Sequence, residues 1–96
     1  MKHASNKIAL TFEESLSKLV GEISGKKVYT EQVRGKLDFS LTAYIKFPSH
    51  IARISSSFVH GFFREILDDY GVSLVGAKII VEGDEWLVSF IMENLL

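Results

Sequence analysis

Three consecutive serines, Ser55-Ser56-Ser57, stand immediately before a strongly apolar stretch that begins at Phe58, with Arg53 and His60 on either side. Hydroxyls at such a place serve one of two purposes. A serine at a helix start accepts a hydrogen bond from the N2 or N3 amide and so caps the helix. A serine in the first turn also suits a phosphate, because free N–H groups and the positive end of the helix dipole receive an anion there. One cap needs one serine, and this chain has three. A phosphoserine here adds about two negative charges without melting the helix, which makes a usable binary signal. Arg53 has the guanidinium fork that holds a phosphate or a partner carboxylate, or is an ordinary loop cation. His60 falls one turn into the helix, either as a partner contact or as a surface histidine. Arg53, Ser55, Ser56, Ser57 and His60 are therefore the candidate partner-binding set.

No other motif suggests chemistry. The glycines are isolated, so neither common phosphate loop is present. His3, His50 and His60 lack metal-ligand spacing, so no metal and no cofactor is expected. No Gly-x-Ser-x-Gly elbow occurs. Asp68 and Asp69 are adjacent, and neighbours on a helix point about 100° apart, so they read as a solvated helix end. With no cysteine in 96 residues, disulfides, thiolate zinc sites and cysteine nucleophiles are excluded. The expectation is a chain that is not an enzyme.

The elements that must position the serines follow from periodicity. Met1–Asn6 is polar and expected to fray. Lys7–Thr11 reads as a strand. Thr11-Phe12-Glu13-Glu14 matches a capping box, and Phe12, Leu16, Leu19, Val20 and Ile23 follow at helical spacing, with Gly25 as the stop. Lys26–Lys36 fits either strand or helix. Leu37, Phe39, Leu41, Ala43, Ile45 and Phe47 alternate with Asp38, Ser40, Thr42, Tyr44 and Lys46, which predicts a strand over 37–47 that is wet on one face and ends at Pro48. The serines open a helix with Phe58, Phe62, Ile66 and Tyr70 as its stripe, flanked by Val59, Phe63 and Leu67 and capped by Gly71. Ala77–Val81 reads as a strand between Gly76 and Gly83. Asp84 caps a last helix lined by Leu87, Phe90, Ile91 and Leu95, with Trp86 off that stripe as a core plug or an interface anchor. Alternating strands and helices in one domain of this length predict an α/β fold. It would have a small mixed sheet of about four strands and helices mainly on one face, since a doubly wound sheet is apolar on both.

Residues 47–63, Phe47-Pro48-Ser49-His50-Ile51-Ala52-Arg53-Ile54-Ser55-Ser56-Ser57-Phe58-Val59-His60-Gly61-Phe62-Phe63, resemble the signature stretch of the STAS-like proteins. These are a bacterial and phage-associated branch related to STAS domains, the anti-sigma-factor antagonists. The resemblance spans about residues 37–71 and extends by element order to the C-terminus. It implies a sheet with helices on one side. It also implies that a serine at the helix start is phosphorylated by a partner kinase. By its position Ser57 matches that phosphoacceptor, with Ser56 its neighbour. The parent family's aspartate is replaced by Ser55, and the glycine after its serines by Phe58, both as in the STAS-like branch.

Three readings follow. The first is a non-enzymatic regulatory module that binds a protein partner, a kinase-like ATPase or another regulatory protein, and is switched at Ser57 or Ser56. The second is a structural or competitive interaction protein of a phage or mobile element, using the polar sheet face and existing as a monomer or homodimer. The third is an anion or nucleotide-binding domain built on the Ser55–Ser57 helix start. Eleven Lys and Arg against twelve Asp and Glu give a net charge of −1, which argues against nucleic acid as a partner. Met1–Thr11 has no long apolar run after Lys2, and no stretch approaches ~20 apolar residues, so no membrane partner is expected and the cytoplasm is the expected location.

Overall fold

A computed structural model describes residues 6–95. β1 (Lys7–Ala9), β3 (Ala43–Lys46) and β5 (Ile79–Glu82) form a sheet in the order β1-β3-β5, and β2 (Lys18–Leu19) pairs with β4 (Arg53–Ile54) in a second sheet. Every pairing is parallel, whereas a mixed sheet was expected. The helices are α1 (Glu22–Gln32), α2 (Ser56–Lys78) and α3 (Glu85–Leu95).

The sheet is apolar on one side only. Ile8, Ile45 and Val81 stand in register, as do Ala43 and Ile79, and they face the core. Lys7, Tyr44, Ile80, Lys46 and Glu82 alternate with them on the opposite face, where Lys7 pairs with Glu82 at 3.1 Å over the Tyr44 ring. The core is aromatic and centres on Phe62. Its ring lies 4.8 Å from Phe63, 5.7 Å from Tyr29 and 5.8 Å from Phe47, centroid to centroid. Phe58, Val59, Phe62, Phe63 and Ile66 are all buried, so the first half of α2 is anchored over a wide arc.

α1 crosses this helix with backbone against backbone. A methyl group built on Gly25 would overlap the Phe58 carbonyl oxygen, and one on Gly61 would overlap that of Glu22. Two ion pairs flank the crossing, Arg64–Glu22 at 2.8 Å and the two-pronged Arg34–Glu65 at 2.5–3.1 Å. Glycine 25 is thus a point of close approach inside a helix and not its end.

Four expectations are corrected here. Of the helix expected over residues 12–23, residues 12–21 are not helical. Leu16 N–H bonds to Glu13 in a single turn, β2 follows, and α1 begins only at Glu22. Thr11 does not cap. Its N–H and C=O are held by the Gln32 carboxamide at 2.8 and 2.9 Å. The strand expected over 37–47 shrinks to 43–46. Asp38 accepts the Ser40 N–H and hydroxyl, and Asn6 binds the Asp38 backbone on both sides and the Thr42 carbonyl, so side chains draw these backbone groups out of the ladder. Asn6 is therefore fixed, while the fraying expected of Met1–Ser5 lies outside the described residues. Finally, the helical piece opened by the serines does end at Gly71, but a second piece, which was expected to be loop and strand, follows it directly. That glycine, at φ 85° and ψ 169°, joins two helical pieces that continue to Lys78, and β5 starts two residues later than expected.

Candidate functional site

α2 is presented by its own first residues. Ser55 sits in an extended conformation, φ −96° and ψ 157°, and its Oγ accepts the Phe58 N–H at 3.1 Å. The same oxygen accepts the N–H of Gly21 at 3.2 Å, and Gly21 is the N-cap of α1. Gly21 holds φ 92°, a left-handed value that glycine takes without strain. One hydroxyl therefore joins two helix starts. The Ser55 N–H bonds to Leu19 and its carbonyl receives Val59, so β2, α1 and α2 all meet at this residue.

Ser57 Oγ lies 3.0 Å from Ser55 Oγ. A hydroxyl has one hydrogen and two acceptor sites. Ser55 spends both acceptor sites on Phe58 and Gly21, so it is the donor to Ser57. The Ser57 hydrogen is thereby left for solvent or a partner. Ser56 and Ser57 are exposed and Ser55 is half-buried. Capping falls to Ser55 alone.

Among the other candidates, Arg53 is exposed; its N–H bonds to the Ser17 carbonyl at 3.1 Å, while its guanidinium makes no hydrogen bond or ion pair among the described residues. Its register partner across β4–β2 is Lys18, which places two cations side by side just before the serines. Nothing local in the sequence marks Lys18, because only the strand pairing brings it there. His60 turns elsewhere. Its Nε2 is 3.3 Å from the Asn94 carbonyl, so it props α3 against α2 and does not join the serines.

Beside this helix start lies an open groove of about 780 Å³ between α1 and residues 11–20. Phe12, Leu16, Val20 and Val28 line it, and Phe58, three residues beyond the Ser55 cap, reaches it from α2. Leu16 is 40% exposed and Val20 54%. The apolar periodicity that reads as a buried helical stripe is in large part the wall of this groove. Two side chains pin the wall in place: Gln32 on Thr11, and His50, whose Nε2 is 3.0 Å from the Glu13 carbonyl.

Among the described residues no three His, Asp or Glu converge as a cation site, and no helix is long and apolar enough to cross a membrane. Tyr29, packed edge-on to Phe62, has its phenol pushed up to about 12 by burial and by the nearby Glu65 charge. Asp38 is held below the usual carboxylate range by the Ser40 hydroxyl and N–H. Comparison with protein-family models, with curated proteins and with solved structures finds no match.

Proposed function

We propose that this chain is a non-enzymatic regulatory module that binds a protein partner and is switched by phosphorylation at Ser57 or Ser56. One observation carries the reading: Ser55 alone caps α2, which leaves the next two hydroxyls exposed and outside the cap, Ser57 bonded only to the Ser55 hydroxyl. The Phe62-centred core makes the first turn a fixed platform, so an added phosphate changes surface charge and not fold. Acidic groups in a first helical turn are favoured by the dipole, and the unpaired Arg53 and its neighbour Lys18 lie within the adjoining strands. The resemblance of residues 47–63 to the STAS-like stretch supports the same reading and suggests a kinase-like ATPase as the partner.

The test is site-mapped phosphorylation of the chain expressed in its native cells. Phosphate on Ser57 or Ser56, with Ser55 unmodified, is the expected result. Phosphate on neither residue under any growth condition removes the switch.

The second reading, an interaction protein working through the polar sheet face, draws support from Ile80. This residue is 43% exposed on the edge strand β5 of that face, beside Tyr44. Of the five residues first assigned to the face, only Tyr44 and Lys46 lie on a strand; Asp38, Ser40 and Thr42 lie in the preceding loop. A strict monomer at high concentration by light scattering counts against the homodimeric form of this reading.

A further inference from the structure

The groove beside the serines has a polarity of its own. Its α1 wall is formed by Ser24, Lys27, Val28, Glu31 and Gln32, one stripe of the helix at i, i+3, i+4, i+7 and i+8. The facing wall, residues 11–20, runs antiparallel to α1. Thr11 is bonded to Gln32 at the C-terminal end of α1, and Val20 precedes the Gly21 cap at its N-terminal end. Charges therefore sort along the groove. Glu13 and Glu31 flank the Thr11–Gln32 end, where the α1 carbonyls also terminate; the Lys36 ammonium, 3.3 Å from the Glu31 carbonyl, stands beside this end but does not line the groove. Lys18 lies at the other end, close to the positive start of α1, with Lys27 between it and the middle. The first-turn acid Glu22 does not cancel this, since it is engaged with Arg64 on the α2 side. The apolar lining is Phe12, Leu16, Leu19, Val20, Val28 and Phe58, with Val20 reaching the Lys18 end.

We propose that this groove docks a short extended segment of a protein partner, apolar in its centre, with a basic side chain at one end and an acidic side chain at the other. Ser24 to Gln32 spans about 12 Å of helix, which matches about four residues of extended chain. A volume of about 780 Å³ lies in the range of specific ligand sites. The basic end of the segment meets Glu13 and Glu31, and its acidic end meets Lys18 and the start of α1. This goes beyond the regulatory reading and does not need the serines to be modified.

The test is panning of a random dodecapeptide library on the intact 96-residue chain, followed by anisotropy titration of the enriched peptides. Enriched sequences are expected to share three or four apolar residues with one base and one acid at opposite ends. Leu16→Asp with Val20→Asp, both at exposed positions, should weaken them at least 10-fold while the circular dichroism spectrum is unchanged. Lys18→Glu with Lys27→Glu should shift preference to peptides basic at both ends. Repeating the titration on Ser56→Asp/Ser57→Asp separates the two proposals, because groove binding can stand when the switch fails and the reverse. No enrichment, enrichment without the opposed charges, or affinities indifferent to both variant pairs overturns the proposal.

Discussion

Replacing Ser55 by alanine should unfold the chain at a markedly lower temperature, whereas the same change at Ser56 or Ser57 should not. The Ser55 Oγ supports two amides. Losing the N-cap to Phe58 costs about 1 kcal/mol. The Gly21 N–H, half-buried at the start of α1, is left without its acceptor at a cost of about 1 kcal/mol more. The single deletion of this oxygen incurs both losses, about 2 kcal/mol together. For a domain of this size that lowers Tm by roughly 10 °C. Ser57→Ala removes one hydrogen bond on an exposed surface, worth about 0.5 kcal/mol or less, and Ser56→Ala removes none. Thermal and urea melts followed by circular dichroism measure all three. Ser55→Asp, which keeps an acceptor oxygen, should recover most of the loss. A Ser57→Ala variant as unstable as Ser55→Ala would show that the division of labour among the serines is wrong, and so would a neutral Ser55→Ala.

Gly61→Ala should destabilise by about 2 kcal/mol in urea unfolding, since overpacking against the rigid Glu22 carbonyl outweighs alanine's advantage of about 1 kcal/mol in helices; an unchanged or raised midpoint contradicts the α1–α2 crossing. Phe62→Ala should cost about 3–5 kcal/mol and leave little folded protein at 37 °C, because its ring touches four aromatic neighbours. Tyr29 is raised from 10.0 to about 12 in the fold, so its contribution is complete below pH 10 and is lost as pH rises from 10 to 12. Two units correspond to at most about 3 kcal/mol, and Tyr29→Phe should flatten that alkaline fall in urea stability, with parallel curves as the contrary result. Asp38 is lowered, so its contribution is present above the unfolded carboxylate pKa and is lost as pH falls through that value towards the folded one. Asp38→Asn should therefore narrow the gap from wild type at acid pH, and an equal gap at pH 7 and pH 3 would count against the Ser40 clasp.

Much of the architecture is legible from local patterns. The stripe from Phe58 to Ile66 and the run of the last helix from Asp84 to Leu95 depend on burial against one sheet face, and both appear where the periodicity puts them. The one-sided sheet follows from Tyr44 and Lys46 alternating with Ala43, Ile45 and Phe47. The failures come from long-range partners. Residues 12–23 carry a helical period, yet Gln32 takes the Thr11 backbone and Arg53–Ile54 recruits Lys18–Leu19 into a ladder, neither of which a local pattern reveals. Leu37 and Phe39 alternate like strand residues, but Asn6 and Asp38 supply hydrogen bonds that a strand would have needed from a neighbour. At the site, exposure of Ser56 and Ser57 was readable from the helix start. The departure of His60 towards Asn94 and the arrival of Lys18 beside Arg53 were not, since both depend on which elements pack together.

The most direct measurement of the central claim is quantitative partner capture from cells of origin by the wild-type chain and by Ser56→Asp/Ser57→Asp, the two having equal melting temperatures. At least a 10-fold change in the capture of one specific protein is predicted, with Ser55→Asp behaving like wild type. Identical capture by both, at matched stability, would contradict a switch at this helix start.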